Sequence, residues 1–221
     1  MTTTQAAPIK VALCVRTEDT PFREVLGLTA MSIPPEFFKA STSLRGRHEA
    51  ECCENDPAWK QLLPYVVAID EQGDIYCYTR GKAGAEGRLH GNISIGLGGH
   101  VDEAPVNEPL IELLEREANR ELEEEAKLPA AALKFRALIC DPTNDVGMVH
   151  IGILAIRHVS AAEKAGMLAE TGVVEKGGFV SLSYLRAQEN FGRLENWSKV
   201  AVDFVDGYLQ ALSRGKAMLA A

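Results

Sequence analysis

Glu121, Glu124 and Glu125 stand at i, i+3 and i+4, directly after Arg120, in a segment whose apolar residues recur at helical spacing. At about 100° per residue the three carboxylates fall on one side of a helix, with Glu117 one turn earlier. Glu125 projects between Leu114 and Ala118, so partial burial is expected for it. Like charges at this spacing repel, and more strongly once water is removed. A partly buried cluster therefore needs protons or cations. Mg²⁺ takes carboxylate oxygens and keeps positions for water and phosphate. Such an ion stabilises charge on a diphosphate and lowers the pKa of a bound water. The helix alone fits a plainer account equally well: a solvated, Glu-rich amphipathic helix with Arg116, Arg120 and Lys127 as weak surface ion-pair partners.

What precedes the helix shifts the balance. Ser94-Ile95-Gly96-Leu97-Gly98-Gly99-His100 joins a strand-like run to the loop before the helix. Adjacent glycines let backbone approach a ligand, and their carbonyls can ligate a metal. A glycine pair also serves in turns. The order strand, Gly-Gly, loop and Arg-Glu-x-x-Glu-Glu helix is far more specific than either part.

These residues need a scaffold, and its elements are readable from Gln61 onward. Leu62 to Ile69 is a short apolar, β-branched run that suits a buried strand. A turn at Glu71 to Asp74 and a second strand from Ile75 to Arg80 complete a hairpin. Asn92 to Leu97 is a third strand. Asn107 is the expected N-cap of the long helix, with Pro109 in its first turn. Ile111, Leu114, Ala118 and Leu122 define its buried stripe, and Pro129 stops it. Strands are expected at Leu133 to Cys140 and Val149 to Ile156, separated by a turn-rich linker from Asp141 to Gly147. A short helix at Ala161 to Ala169, a strand at Phe179 to Leu182 and an amphipathic helix at Asn196 to Ser213 follow. Before Pro57 the pattern is weak: a short strand within Ile9 to Val15, and a charged, exposed stretch from Ser41 to Asp56. This divides the chain into an N-terminal extension of unassigned role, residues 1–57, and a mixed α/β domain, residues 58–221.

Composition narrows the function classes. A net charge of -8 disfavours binding to long nucleic acid, whose phosphates attract basic surfaces. It leaves a single nucleotide possible, because a local cation reverses the field. The five cysteines, Cys14, Cys52, Cys53, Cys77 and Cys140, contain no CxxC pair and are read as reduced thiols. The N-terminal residues lack a basic-then-apolar signal, and no apolar run approaches a membrane span, so a cytoplasmic protein with no membrane partner is expected.

The segment resembles the Nudix hydrolases of MutT type. Their signature is Gly, five residues, Glu, seven residues, then Arg-Glu-apolar-x-Glu-Glu-x-Gly-apolar. Arg120 to Leu128 match its second half, and Glu112 stands at the spacing of its first Glu. Gln61 to Tyr65 and Ser94 to His100 resemble a branch with a Gly-Gly-His segment. The sequence departs from the signature twice. Lys127 replaces the box glycine, and Val101 to Glu108 is read as an insertion inside the box.

The resemblance implies a Nudix fold, a mixed β-sheet sandwiched between α-helices. It implies attack of water on the diphosphate linkage of a nucleoside diphosphate derivative or a similar small phosphorylated metabolite, with Mg²⁺, or Mn²⁺ in its place. It implies metal binding by Glu121, Glu124, Glu125 and the carbonyl of Gly99, catalytic roles for Glu121 and Glu124, orientation of the carboxylates by Arg120, and a structural role for Glu112. The general base stays open between Glu121 and a later acid, Glu170 or Glu175.

Arg80, Arg88 and His100 are the candidate substrate-binding residues, placed around the glycine segment to meet phosphates; the arginines fit a merely solvated loop as well, and His100 fits a metal ligand or a structural role. Lys82 shares that loop. His150 and His158 are read as structural. Trp59, Tyr65 and Trp197 are read as core rather than base-stacking residues. A homodimer contact through residues 1–57 is one possible partner. Two other functions stay in view. A non-catalytic Nudix-fold module binding a nucleotide or protein would fit Lys127 and the unusual loop. An allylic diphosphate isomerase would need a cysteine in segments where this chain has none.

Overall fold

The computed structural model of the chain describes residues 10–47, 53–83 and 89–219. Arg88 and Cys52 lie outside them. Among the described residues, ten strands join one mixed sheet in the order β10 (Val174–Val180), β5 (Ile75–Arg80), β4 (Trp59–Asp70), β9 (His150–Val159), β8 (Phe135–Cys140) and β2 (Thr29–Ser32), with β1 (Val11–Arg16) paired to β4 and β3 (Thr42–Gly46) paired to β1. The central strand is β4 (Trp59–Asp70), and it pairs in parallel with β9 (His150–Val159) from Gln61 to Asp70. Such a strand is covered on both faces and so reads as a continuous apolar run.

Alternation along β4 divides the core. Val66 and Ala68 face one layer with Ala118, Leu122 and Ala126 of α1 (Leu110–Ala126). Tyr65, Val67 and Ile69 face the other, with Ala201, Val202 and Val205 of α6 (Asn196–Leu219). The sheet is thus held between helices, as the resemblance implies. Leu122 is fully buried, so truncation to Ala would cost about 2–5 kcal/mol.

Three strands from the described residues before 58 are built into this sheet. β1 (Val11–Arg16) pairs with β4, β3 (Thr42–Gly46) pairs with β1, and β2 (Thr29–Ser32) pairs with β8 (Phe135–Cys140). The expected exposed stretch at Ser41 to Asp56 therefore contains a strand. Its charged residues hid it: Arg45 lies over the Trp59 ring at 4.5 Å, so its stem and charge serve packing.

The free edge of β4 creates the cleft. The β1 pairing ends at Gln61, and the pairing to β7 (Gly96–Leu97) begins at Val66. The gap between them holds Pro64, which has no N–H to give. The single strand expected over Asn92 to Leu97 is accordingly two pieces. β6 (Ile93–Ser94) pairs with β5 (Ile75–Arg80), and β7 crosses to β4.

The start of α1 differs from expectation. Its N-cap is Pro109, and Asn107 instead has a left-handed backbone, φ 60°. The helix starts later, and Leu110 and Leu113 enter the core while Ile111 is exposed. At the other end Lys127 is the left-handed C-cap, φ 55°, with its N–H donating to Glu123 O and that of Leu128 to Leu122 O. Lys127 thus adopts the conformation the box glycine favours, and the helix ends as that signature requires. The linker after β8 contains a short helix, α2 (Asp145–Met148), capped by the Asn144 side chain.

Candidate active site

A cleft of about 1110 Å³ opens beside the β4 gap, lined by Pro64, Gly98, Gly99, Glu121, Glu125 and Glu170 among others. Its floor is a contact between the glycine segment and α1. The Gly98 N–H donates to Glu125 Oε2 at 2.9 Å. Gly98 has φ 147°, and a Cβ there would lie 2.0 Å from Pro64 O. A Cβ on Gly99 would stand 2.5 Å from Glu121 Oε1. Only glycines let this backbone lie against these carboxylates.

Glu125 is buried at 6 % exposure, deeper than projection on a helix suggested. Burial pushes its carboxyl up to about 8; the Gly98 hydrogen bond opposes this, and Glu121 and Glu170 add to it. Burial also raises Glu121, against the pull of Arg120. Arg120 holds three carboxylates: Glu117 at 2.9 Å, Glu121 at 2.8 Å and Glu124 at 2.9 Å. Burial works against its charge, but Glu117, Glu121 and Glu124 raise its pKa above the ordinary range.

Of the four implied metal ligands, the fold brings Glu121, Glu125 and Gly99 together at the cleft. Glu124 is half-exposed and turned to Arg120. Two carboxylates, one forced toward its protonated form by burial, form a hard-oxygen donor set that fits Mg²⁺ or Mn²⁺. Glu112 is exposed on the far side of the helix. Glu170 reaches the cleft, and its N–H donates to Glu125 O at 2.9 Å. Glu175 is exposed on β10 (Val174–Val180).

Arg80 and His100 also line the cleft, but both have partners. Arg80 Nε donates to Glu195 Oε2 at 2.7 Å. His100 Nε2 lies 3.3 Å from His150 Nε2. Glu195 is a cleft residue that sequence reading missed. It is buried and takes Ser94 Oγ at 2.6 Å and Tyr65 Oη at 3.3 Å, and Tyr65 shares 2.8 Å with Ser198 Oγ. This network ties β4, β5 and β6 to the start of α6. Its partners lie about a hundred positions apart, so no local spacing announces it. Tyr65 and Trp197 meet edge to face at 5.7 Å, with Trp197 on the cleft wall.

Comparison with known proteins adds relatives. No protein-family model matches the chain. Protein YmaB of Bacillus subtilis is 36% identical over 158 residues, covering 69% of this chain and 74% of that one. The crystal structure of Tm1382, a protein grouped with the Nudix hydrolases, superposes with a TM-score of 0.67 at 27% identity, over 89% of this chain and 98% of that one. The Nudix domain of Shewanella oneidensis NrtR, solved with ADP ribose, matches at TM-score 0.51 and 12% identity, over 68% of this chain and 88% of that one. DR0079 from Deinococcus radiodurans matches at TM-score 0.51 and 14% identity, over 80% and 98%. The shared architecture is the Nudix fold.

Proposed function

Because the chain belongs to the family of Bacillus subtilis Protein YmaB and has the Nudix fold, we propose that it is a Mg²⁺-dependent hydrolase of a diphosphate linkage in a nucleoside diphosphate derivative or similar small metabolite. The observation that carries this reading is Glu125: a buried carboxyl that faces the cleft beside Glu121, hydrogen-bonded by the Gly98 N–H and helped only by the more distant charge of Arg80, which burial outweighs. Glu117, as deeply buried on the same helix, carries two arginines instead.

Glu121, Glu125 and the Gly99 carbonyl are the proposed ligands of the divalent ion, with Glu124 completing the set from its exposed position. When bound, that ion offsets phosphate charge and makes water a better nucleophile at neutral pH. The chain supplies the rest. Arg120 Nη2 fixes Glu121 through Oε1, and Oε2, which accepts no hydrogen bond among the described residues, is the acceptor of the attacking water's proton. The water oxygen bonds to phosphorus, and the bridging P–O bond breaks. Arg120 also holds Glu124, so one guanidinium sets the spacing of both acids. Glu170 stands at the same cleft and is the second candidate for the proton acceptor. The cleft volume suits a nucleotide-sized ligand.

The direct test is a panel of nucleoside diphosphate derivatives with Mg²⁺ or Mn²⁺, reading phosphate released after phosphatase treatment. Metal-dependent release from at least one member is expected. Tight binding of a nucleotide in EDTA, with no release from any member in metal, would overturn the reading in favour of a non-catalytic module.

A further inference from the structure

A second group of ligating side chains lies near the glutamate helix and is built from different chemistry. Among the described residues, the one set of three His, Cys, Asp or Glu side chains whose ligand atoms lie within 4.8 Å of one another is Glu54, His100 and His150. They come from three places: the connection before β4, the residue after Gly99, and the first position of β9. The two histidines line the cleft.

We propose that Glu54, His100 and His150 form a binding site for a divalent transition-metal ion of the zinc class. The inference does not depend on the hydrolase reading. Its first support is distance. Two nitrogens about 2.0–2.1 Å from one tetrahedral ion stand about 3.3–3.4 Å apart. The two Nε2 atoms are 3.3 Å apart, with the rings inclined at 68°. Its second support is tautomer control. His150 Nδ1 lies 2.6 Å from Val146 O, and donation of Nδ1–H to that carbonyl puts the lone pair on Nε2, the nitrogen that lies 3.3 Å from His100 Nε2. The third is the carboxylate. Arg47 Nε holds Glu54 Oε1 at 2.7 Å, with both side chains mostly out of water, so the acid is oriented before any ion arrives. Two imidazoles and one carboxylate select zinc and its neighbours over Mg²⁺, which takes oxygen. Three protein ligands leave a fourth position for water. An ion here would tie the segment before β4 to the glycine loop and to β9.

The test uses the full chain, stripped with chelator and titrated with Co²⁺, and with Zn²⁺ against a chromophoric competitor. The expected result is a single Co²⁺ per chain with a tetrahedral visible spectrum. Excess Mg²⁺ should not displace it, and Glu125→Gln should retain it. His150→Gln should weaken Zn²⁺ binding at least about 100-fold, beyond the 10–100-fold that loss of a hydrogen bond to a ligand costs. Circular dichroism checks that this variant is folded; should it unfold, Glu54→Gln, with less buried packing, must weaken binding at least about tenfold. Absence of Co²⁺ and Zn²⁺ binding in the unaltered chain would overturn the proposal. So would binding unchanged by both His150→Gln and Glu54→Gln, or binding lost in Glu125→Gln or in excess Mg²⁺. These readouts involve no substrate, so inactivity in the hydrolase panel leaves them intact.

Discussion

Glu117 and Glu125 stand two turns apart on one helix, both almost inaccessible to water, at 2 % and 6 % exposure. Their surroundings are opposite. Glu117 receives Arg116 at 2.6 Å and Arg120 at 2.9 Å. Glu125 receives one backbone N–H, and among the described residues no cation lies within ion-pair distance of it. The first is a buried charge already neutralised by its own chain. The second is a buried carboxyl whose charge needs something from outside. Depth alone therefore does not mark a binding site; depth without a partner does.

Breaking the Glu125 side of this comparison should have the largest effect. Glu125→Gln removes a proposed ligand while keeping shape and the Gly98 contact. Since metal stabilisation of transferred charge is worth several kcal/mol, turnover should fall at least about 100-fold in a steady-state assay. Unchanged turnover would remove Glu125 from the metal site.

The pH dependence comes next. The Glu125 carboxyl is raised from 4.5 in the unfolded chain to about 8 in the metal-free fold. This contribution to metal-free stability is complete below the unfolded value and is lost as pH rises through about 8. An arriving ion must displace the proton, so Mg²⁺ affinity should rise about tenfold per pH unit up to that point and then level off. Binding isotherms across this range check the slope.

On the other side, Glu117→Gln should lower stability with little loss of metal affinity. Two arginines would lose a buried partner. Because both remain partly reached by water, the cost should be about 1–2 kcal/mol, below the 3–5 typical of fully buried pairs. Urea denaturation reads it. The smallest effect expected is at the helix end. Lys127→Gly relieves a left-handed backbone at φ 55°, and should stabilise by about 0.5–1 kcal/mol without altering turnover.

The comparison also explains what was legible beforehand. The glutamate spacing and the glycine pair are local signals, and they located the contact between Gly98–Gly99 and α1. The β4–β5 hairpin and α6 follow from hydrophobic periodicity. The wall of the cleft follows from no local pattern. Glu195 reaches Arg80 across 115 positions, and Glu54 meets His100 and His150 only after three distant segments converge. β3 was hidden because its arginine serves packing, and the helix start was misplaced because Asn107 took a turn conformation where a cap was expected. Arg80 is a candidate phosphate ligand by its place in the sequence; the fold pairs it with the buried Glu195.

The most direct measurement is calorimetric titration of the metal-free chain with Mg²⁺ at pH 7 in two buffers of different ionisation heat. Occupation of a site containing protonated Glu125 predicts release of close to one proton per ion, with both the binding heat and the proton release lost in Glu125→Gln. Binding without proton release, or an isotherm unchanged in that variant, would contradict it.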